Sequence, residues 1–93
     1  PLWCAMFDTL GQAGILSVAA TANLPINVDV EGDLPTTCPS PYLIAVTSLS
    51  ANDSLAPNAA WGPASIDVGA YGHQVLSTAV GNQYLSFSGT SFA

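Results

Sequence analysis

Ninety-three residues carry no Lys or Arg against six Asp and Glu, a formal charge of −6 at pH 7. Phosphate neutralisation needs basic side chains, so nucleic-acid binding and adhesion to an anionic membrane surface are excluded. With 49% hydrophobic and 6% charged residues the chain is no disordered acidic tail, and its carboxylates must be satisfied by solvent, a metal ion or further protein.

The first residues, PLWCAMFDTL, lack the basic n-region of a signal peptide. No apolar run approaches the roughly 20 residues that span a bilayer. Residues 2–13 read as the end of a helix, with Leu2, Cys4, Ala5, Met6 and Leu10 at near-helical spacing and Gly14 as its C-terminal cap. ILSVAA, residues 15–20, is short and nearly all apolar, which predicts a strand buried on both faces. Residues 21–41 read as a polar loop with prolines. LIAVTSL, residues 43–49, is a second buried strand, and residues 65–70 a third. Residues 74–80 form a further extended piece; a turn at 81–83 returns the chain through YLSFS as a hairpin. GTSFA follows.

A helix running at once into a buried strand is an α/β signature. Buried parallel strands need helices on both faces, and only one partial helix is present. The expectation is a piece of a larger α/β domain, a three-layer fold with a mainly parallel sheet between helices.

Cys4 and Cys38 allow one disulfide, but spacing alone does not bring their Cα atoms together. Two separate buried thiols are the favoured reading. Ser91 follows Gly89-Thr90 where a helix is ready to begin. A serine hydroxyl attacks only when a base takes its proton, and strand-to-helix turns are where such nucleophiles are exposed. From GTS alone an ordinary helix cap is the more economical reading.

The context of that serine alters the balance. STAVGNQYLSFSGTSFA resembles the nucleophile segment of the subtilisin-like serine proteases, in which a Gly-containing turn and an aromatic precede Ser-Gly-Thr-Ser-x-Ala. IDVGAYG is similar to the family's Val-Asp-Val-x-Ala-Pro-Gly, with Tyr71 where proline is usual. CPSPYLIAVTSL is similar to its Tyr-Pro-Ala followed by a Val-Ile-Ala-Val-Gly-Ala strand. GILSVAATAN is similar to its Gly-x-x-x-Val-Ala-Ala-Ala-Gly-Asn, with Thr21 and Ala22 in place of Ala-Gly. The four matches run in the family's order over nearly all of residues 11–93.

The resemblance implies that residues 1–93 are part of a subtilisin-like peptidase domain, from the oxyanion strand to the nucleophile. It implies Ser91 as the acylating nucleophile and Asn23 as the oxyanion-hole amide, acting with the Ser91 N–H. The family's Asp and His precede the serine, and no His-Gly-Thr-His motif occurs here. They are expected before Pro1, in the remainder of the domain. His73, the only histidine, falls in a turn that carries no catalytic role in the family, so it is read as an exposed turn residue rather than the base. The implied activity is serine endopeptidase hydrolysis of a protein or peptide substrate by a secreted parent protein, the 93 residues alone being inactive. A catalytically dead scaffold of the same fold and an unrelated acidic α/β binding domain are the rivals.

No cofactor is required. One family cation site uses an Asp matching Asp67 with carbonyls near Pro39, and oxygen ligands suit structural Ca²⁺ or a monovalent ion. Asp29, Glu31 and Asp33 alternate and are read as a solvated acidic loop. Asn52 to Ser54 fits the N-glycosylation pattern, and Trp3 and Trp61 are assigned to packing.

Overall fold

A computed structural model describes residues 2–93. Its elements are α1 (Leu2–Gln12), β1 (Ser17–Ala20), α2 (Val28–Glu31), β2 (Leu43–Leu49), β3 (Val68–Tyr71), β4 (Val75–Ala79), β5 (Gln83–Phe87) and a closing 3₁₀ turn, Thr90–Phe92. The first three strands form a parallel sheet in chain order; β4 and β5 pair antiparallel as a separate hairpin. The fold class is α/β, as expected.

Helix α1 ends where Gly14 takes a positive φ of 87°. The Ile15 N–H donates to Leu10 O at 3.0 Å and the Gly14 N–H to Gly11 O at 2.9 Å, the paired bonds of a Schellman cap. Only glycine enters that conformation without steric cost. The helix lies over one side of the sheet, where Cys4 and Phe7 pack with Cys38, Leu43 and Ala19.

Cys4 and Cys38 form a disulfide, correcting the expectation of two separate thiols. The fold brings the helix start and the turn before β2 to a Cα separation of 5.2 Å, which no spacing along the chain reveals. The bridge ties α1 to the 33–40 segment, and Ser40 Oγ, donating to Asp8 Oδ1 at 2.6 Å, adds a second tie.

Strand β2 is the buried centre. Ala45 is 1% exposed and Ser48 2%. The flanking strands differ from the sequence reading. In β1 burial alternates, with Val18 66% exposed, and Ile15 and Leu16 precede the strand. Val18 is in register with Ile44, and Val68 with Val46. These residues therefore share the sheet face opposite α1, which among the described residues is open at Val18 and Val68 on the flanking strands and covered at Val46 and Ser48 on β2. β3 begins three residues later than expected, because residues 63–65 make a turn.

The loop expected over 21–41 contains a short helix. Asn27 caps it by accepting from the Asp29 N–H at 3.0 Å, and Gly32 closes it at φ 78°. An Asn side-chain oxygen satisfies an otherwise free N–H of the first helical turn, and the Asn27…Gly32 pair is the signal the sequence offers. The hairpin expected over 74–88 is present, with Gly81 and Asn82 at positive φ in its connection.

Candidate active site

Asn23 is the third residue after β1, and the segment that carries it is held by backbone hydrogen bonds. The Thr21 N–H donates to Val46 O at 3.0 Å, continuing the parallel ladder past the end of β1. The Ala60 N–H donates to Ala22 O at 3.1 Å, the Trp61 N–H to Ile26 O at 3.0 Å and the Val28 N–H to Trp61 O at 2.8 Å. Residues 22–28 are thereby zipped to the 60–61 segment, itself fixed by Thr47 Oγ1 donating to Ala60 O at 2.5 Å.

Ser91 arrives from the other part of the molecule. The hairpin ends at Phe87, and the chain docks back on the sheet where the Gly89 N–H donates to Gly72 O at 2.8 Å. Gly72 in turn donates to Leu49 O at 3.2 Å, at the end of β2. A side chain at Gly72 would stand 2.7 Å from Gly89 O and 3.0 Å from the Ala93 Cβ, so the close approach requires glycine. Ser88 Oγ accepts from the Gln74 N–H at 2.8 Å. The Phe87 and Phe92 rings stack with centroids 5.3 Å apart, clasping the turn that carries Ser91. The continuing helix expected after GTS is here three residues of 3₁₀ turn.

Thr90 joins the two parts. Its N–H donates to Asn23 Oδ1 at 2.8 Å, and its Oγ1 reaches Thr21 O at 2.5 Å and Asn23 Oδ1 at 3.0 Å. Thr90 is 3% exposed. With the amide oxygen of Asn23 facing these donors, the NH₂ group is turned away from Thr90, on an exposed residue. A methyl placed on Gly89 would lie 3.5 Å from Ser91 Oγ and 3.8 Å from Asn23 Oδ1. The bare Gly89 backbone therefore leaves open the space between serine and amide.

A cleft of about 280 Å³ opens beside this pair, lined among others by Asn23, Ser48, Asn58, His73 and Gly89. His73 is half-buried in its wall rather than the exposed turn residue expected, because Gly72 draws the turn against Gly89. No hydrogen bond joins His73 to Ser91 among the described residues. Ser48 Oγ is buried without a partner among them.

The acidic residues divide. Asp67 opens the approach to β3: its N–H donates to Ala45 O at 2.9 Å and its Oδ2 accepts from the Ala45 N–H at 2.8 Å. Asp67 also lines a separate cavity of about 390 Å³ with Thr37, Pro39, Ser40 and Ser65. One carboxylate among hydroxyl and carbonyl oxygens fits a hard cation held by few charges. The described residues contain no group of three His, Cys, Asp or Glu placed to hold a metal. Asp29, Glu31 and Asp33 do not converge; Asp29 and Glu31 are exposed, as the solvated reading expects, though on α2 rather than on a loop, and only Asp33 is partly buried. Asp29 accepts from the Ala64 and Ser65 N–H groups, each at 2.9 Å. Hydrogen bonding from Ser65, then from Ala64, holds its carboxyl below the usual value of 3.8. Asp33 turns the other way, onto Thr21 and Ala22. Sequence reasoning missed Thr90 and Asp33; Thr90 sits inside the GTS motif, whereas nothing local marks Asp33.

An exposed serine on a tight turn, beside an amide steered outward by its neighbour and a cleft open on one side, is an arrangement suited to acyl transfer. The Subtilase family profile matches residues 2–93. The chain belongs to the subtilase family. It is 34% identical over 85 residues to subtilisin-like protease 2 of Plasmodium falciparum isolate 3D7, a match covering 91% of this chain and 6% of that protein. A second Plasmodium falciparum sequence of the same name matches equally. Among solved structures, the prenylagaramide maturation protease PagA superposes with a TM-score of 0.75 at 24% identity, over 91% of this chain and 30% of that one. The chain thus spans a small part of the length of each protein it matches. No helix among the described residues is long and apolar enough to cross a membrane.

Proposed function

We propose that these residues supply the nucleophile and oxyanion half of a subtilisin-like serine endopeptidase active site. Ser91 Oγ attacks the scissile carbonyl carbon as a base accepts its proton. The carbonyl oxygen becomes an oxyanion that receives hydrogen bonds from the Asn23 NH₂ and the Ser91 N–H. Collapse breaks the C–N bond, the amine leaves with a proton, and water hydrolyses the remaining Ser91 ester. Base and orienting carboxylate come from the rest of the parent protein, since the sole histidine is not bonded to Ser91. The substrate is a protein or peptide, and the parent works outside the cell. Asp67 and the carbonyls near Pro39 would hold a structural Ca²⁺ or monovalent cation, which would supply rigidity and take no part in the chemistry.

The observation that carries this reading is the Thr90 N–H bond to Asn23 Oδ1 at 2.8 Å. It joins residues 67 positions apart and turns a donor amide away from Thr90, beside the serine turn. A bare helix cap needs no such partner.

The test is peptide-amide turnover and labelling by a fluorophosphonate, for the full-length protein, its Ser91→Ala variant and the isolated 93-residue chain. Turnover and labelling by the full-length protein alone are expected. Turnover that survives Ser91→Ala would falsify the nucleophile assignment. A full-length protein that folds but neither cleaves nor labels would be a scaffold of this fold.

A further inference from the structure

We propose that Asp33 is the positioning residue for Asn23, acting through the Thr21–Ala22 peptide; the proposal rests on Asn23 being an oxyanion donor. A single carboxylate oxygen, Asp33 Oδ2, gathers three donors. Thr21 Oγ1 lies at 3.1 Å, the Ala22 N–H at 3.1 Å and Thr36 Oγ1 at 2.5 Å. The other backbone groups of Thr21 and Ala22 are taken by Val46, Thr90 and Ala60. Among the described residues, Asp33 is therefore the only side chain that holds the N–H of the residue directly before Asn23. It touches no reacting group and works from behind the segment.

The carboxylate is itself fixed. The Thr37 N–H and Oγ1 donate to Asp33 O at 2.8 and 2.6 Å, and the Asp33 N–H donates to Thr37 Oγ1 at 3.3 Å. Next in the chain, Cys38 is bound to α1 by the disulfide. A rigid route thus runs from α1 through the 33–38 turn to the base of Asn23. The chain has no Lys or Arg to compete for this carboxylate. Hydrogen bonds to an ionised acceptor are about twice as strong as neutral ones. The benefit of such anchoring is geometric, because a donor misplaced by about 1 Å loses on the order of 10²-fold in rate.

The experiment is a double-mutant cycle in the full-length protein, with kcat and KM on a peptide amide and Tm for every variant. Asp33→Ala is expected to lower kcat by about tenfold to a hundredfold with KM within about twofold. Asp33→Asn, which keeps one acceptor oxygen, should recover most of that loss. In an Asn23→Ala background Asp33→Ala should cost less than about twofold, because its route runs through the amide already removed. If the two losses multiply instead, or if Asp33→Ala leaves kcat unchanged, the positioning role is overturned and Asp33 serves folding alone. Should Asp33→Ala fail to fold, the same cycle with Asp33→Ser, whose shorter side chain gives up the acceptor to the Ala22 N–H, decides: a kcat loss present with Asn23 and absent without it sustains the role, and no loss, or an equal loss in both, overturns it. An unchanged kcat for Asn23→Ala alone overturns the oxyanion reading itself, visible before any double variant is made.

Discussion

The sheet and the hairpin solve opposite problems. In the parallel sheet, β2 is buried and tied by neighbours on both edges, while β1 and β3 each lean on β2 and leave Val18 66% and Val68 49% exposed. The β4–β5 hairpin is built from neighbouring residues, with register set from Val75–Phe87 to Ala79–Gln83. Its outward residues are exposed too, Leu76 at 69% and Tyr84 at 68%. The hairpin draws its order from local pairing and a turn; the sheet draws it from contacts far apart in sequence. The candidate site falls where they meet, with Asn23 beyond the end of β1 and Ser91 beyond the end of the hairpin.

Each variant below, made in the full-length protein, loads one side of that contrast. Ser91→Ala removes the hairpin's contribution and is expected to lower kcat on the order of 10⁶-fold, a magnitude measured in subtilisin itself. Retained folding, read by an unchanged Tm, would localise the loss to chemistry. Replacing Cys4 and Cys38 by Ser acts on the sheet side. The bond closes a loop of 34 residues' separation, and by loop entropy its loss costs roughly 4 kcal/mol. Amide exchange should quicken in α1 and the 33–40 turn while the hairpin keeps its protection; equal loosening of both parts would show that they fold as one unit.

Asn23→Ala takes the sheet's chemical contribution. A fall in kcat of about 10²–10³ with little change in KM is expected, again on a scale set by subtilisin. Gly81→Ala burdens the hairpin at φ 79° and should cost about 1–2 kcal/mol. Exchange should rise in β4 and β5 before it rises in β2, and the opposite order would deny the hairpin its local origin.

The smallest effect concerns pH. Hydrogen bonding lowers the folded-state value of Asp29. Its stabilising contribution is therefore present above the unfolded value near 3.8 and lost as pH falls through the lower folded value. Asp29→Asn should flatten the dependence of Tm on pH below about 4. An unchanged slope would show that the Ala64 and Ser65 bonds do not distinguish the two charge states.

How much of this was legible follows from the range of each interaction. β2 reads correctly from its apolar run because both its edges and its α1 side are covered. The Gly14 cap reads correctly because the φ requirement is local. β1 misleads: the same apolar composition that marks a strand cannot say whether a second layer lies over Val18. The Cys4–Cys38 bond was unreadable, because the approach of α1 to the turn before β2 is a product of sheet packing. Asp29, Glu31 and Asp33 look alike as an alternating acidic run. Their fates diverge through distant amides, at 64–65 for Asp29 and at 22 for Asp33.

What the sequence alone determined is the succession of strands along the chain, the helix end, the hairpin and, through four ordered motifs, the subtilase family, with Ser91 and Asn23 marked as candidates for its site. These depend on neighbours in the chain or on residue types in register. Tertiary structure alone decided that Thr90 turns the Asn23 amide outward, that Asp33 grips Ala22 and that His73 lines the cleft. A hydrogen bond spanning 67 residues leaves no local pattern behind. Its partners are chosen only when β1, the 33–37 turn and the end of the hairpin are folded against the end of β2.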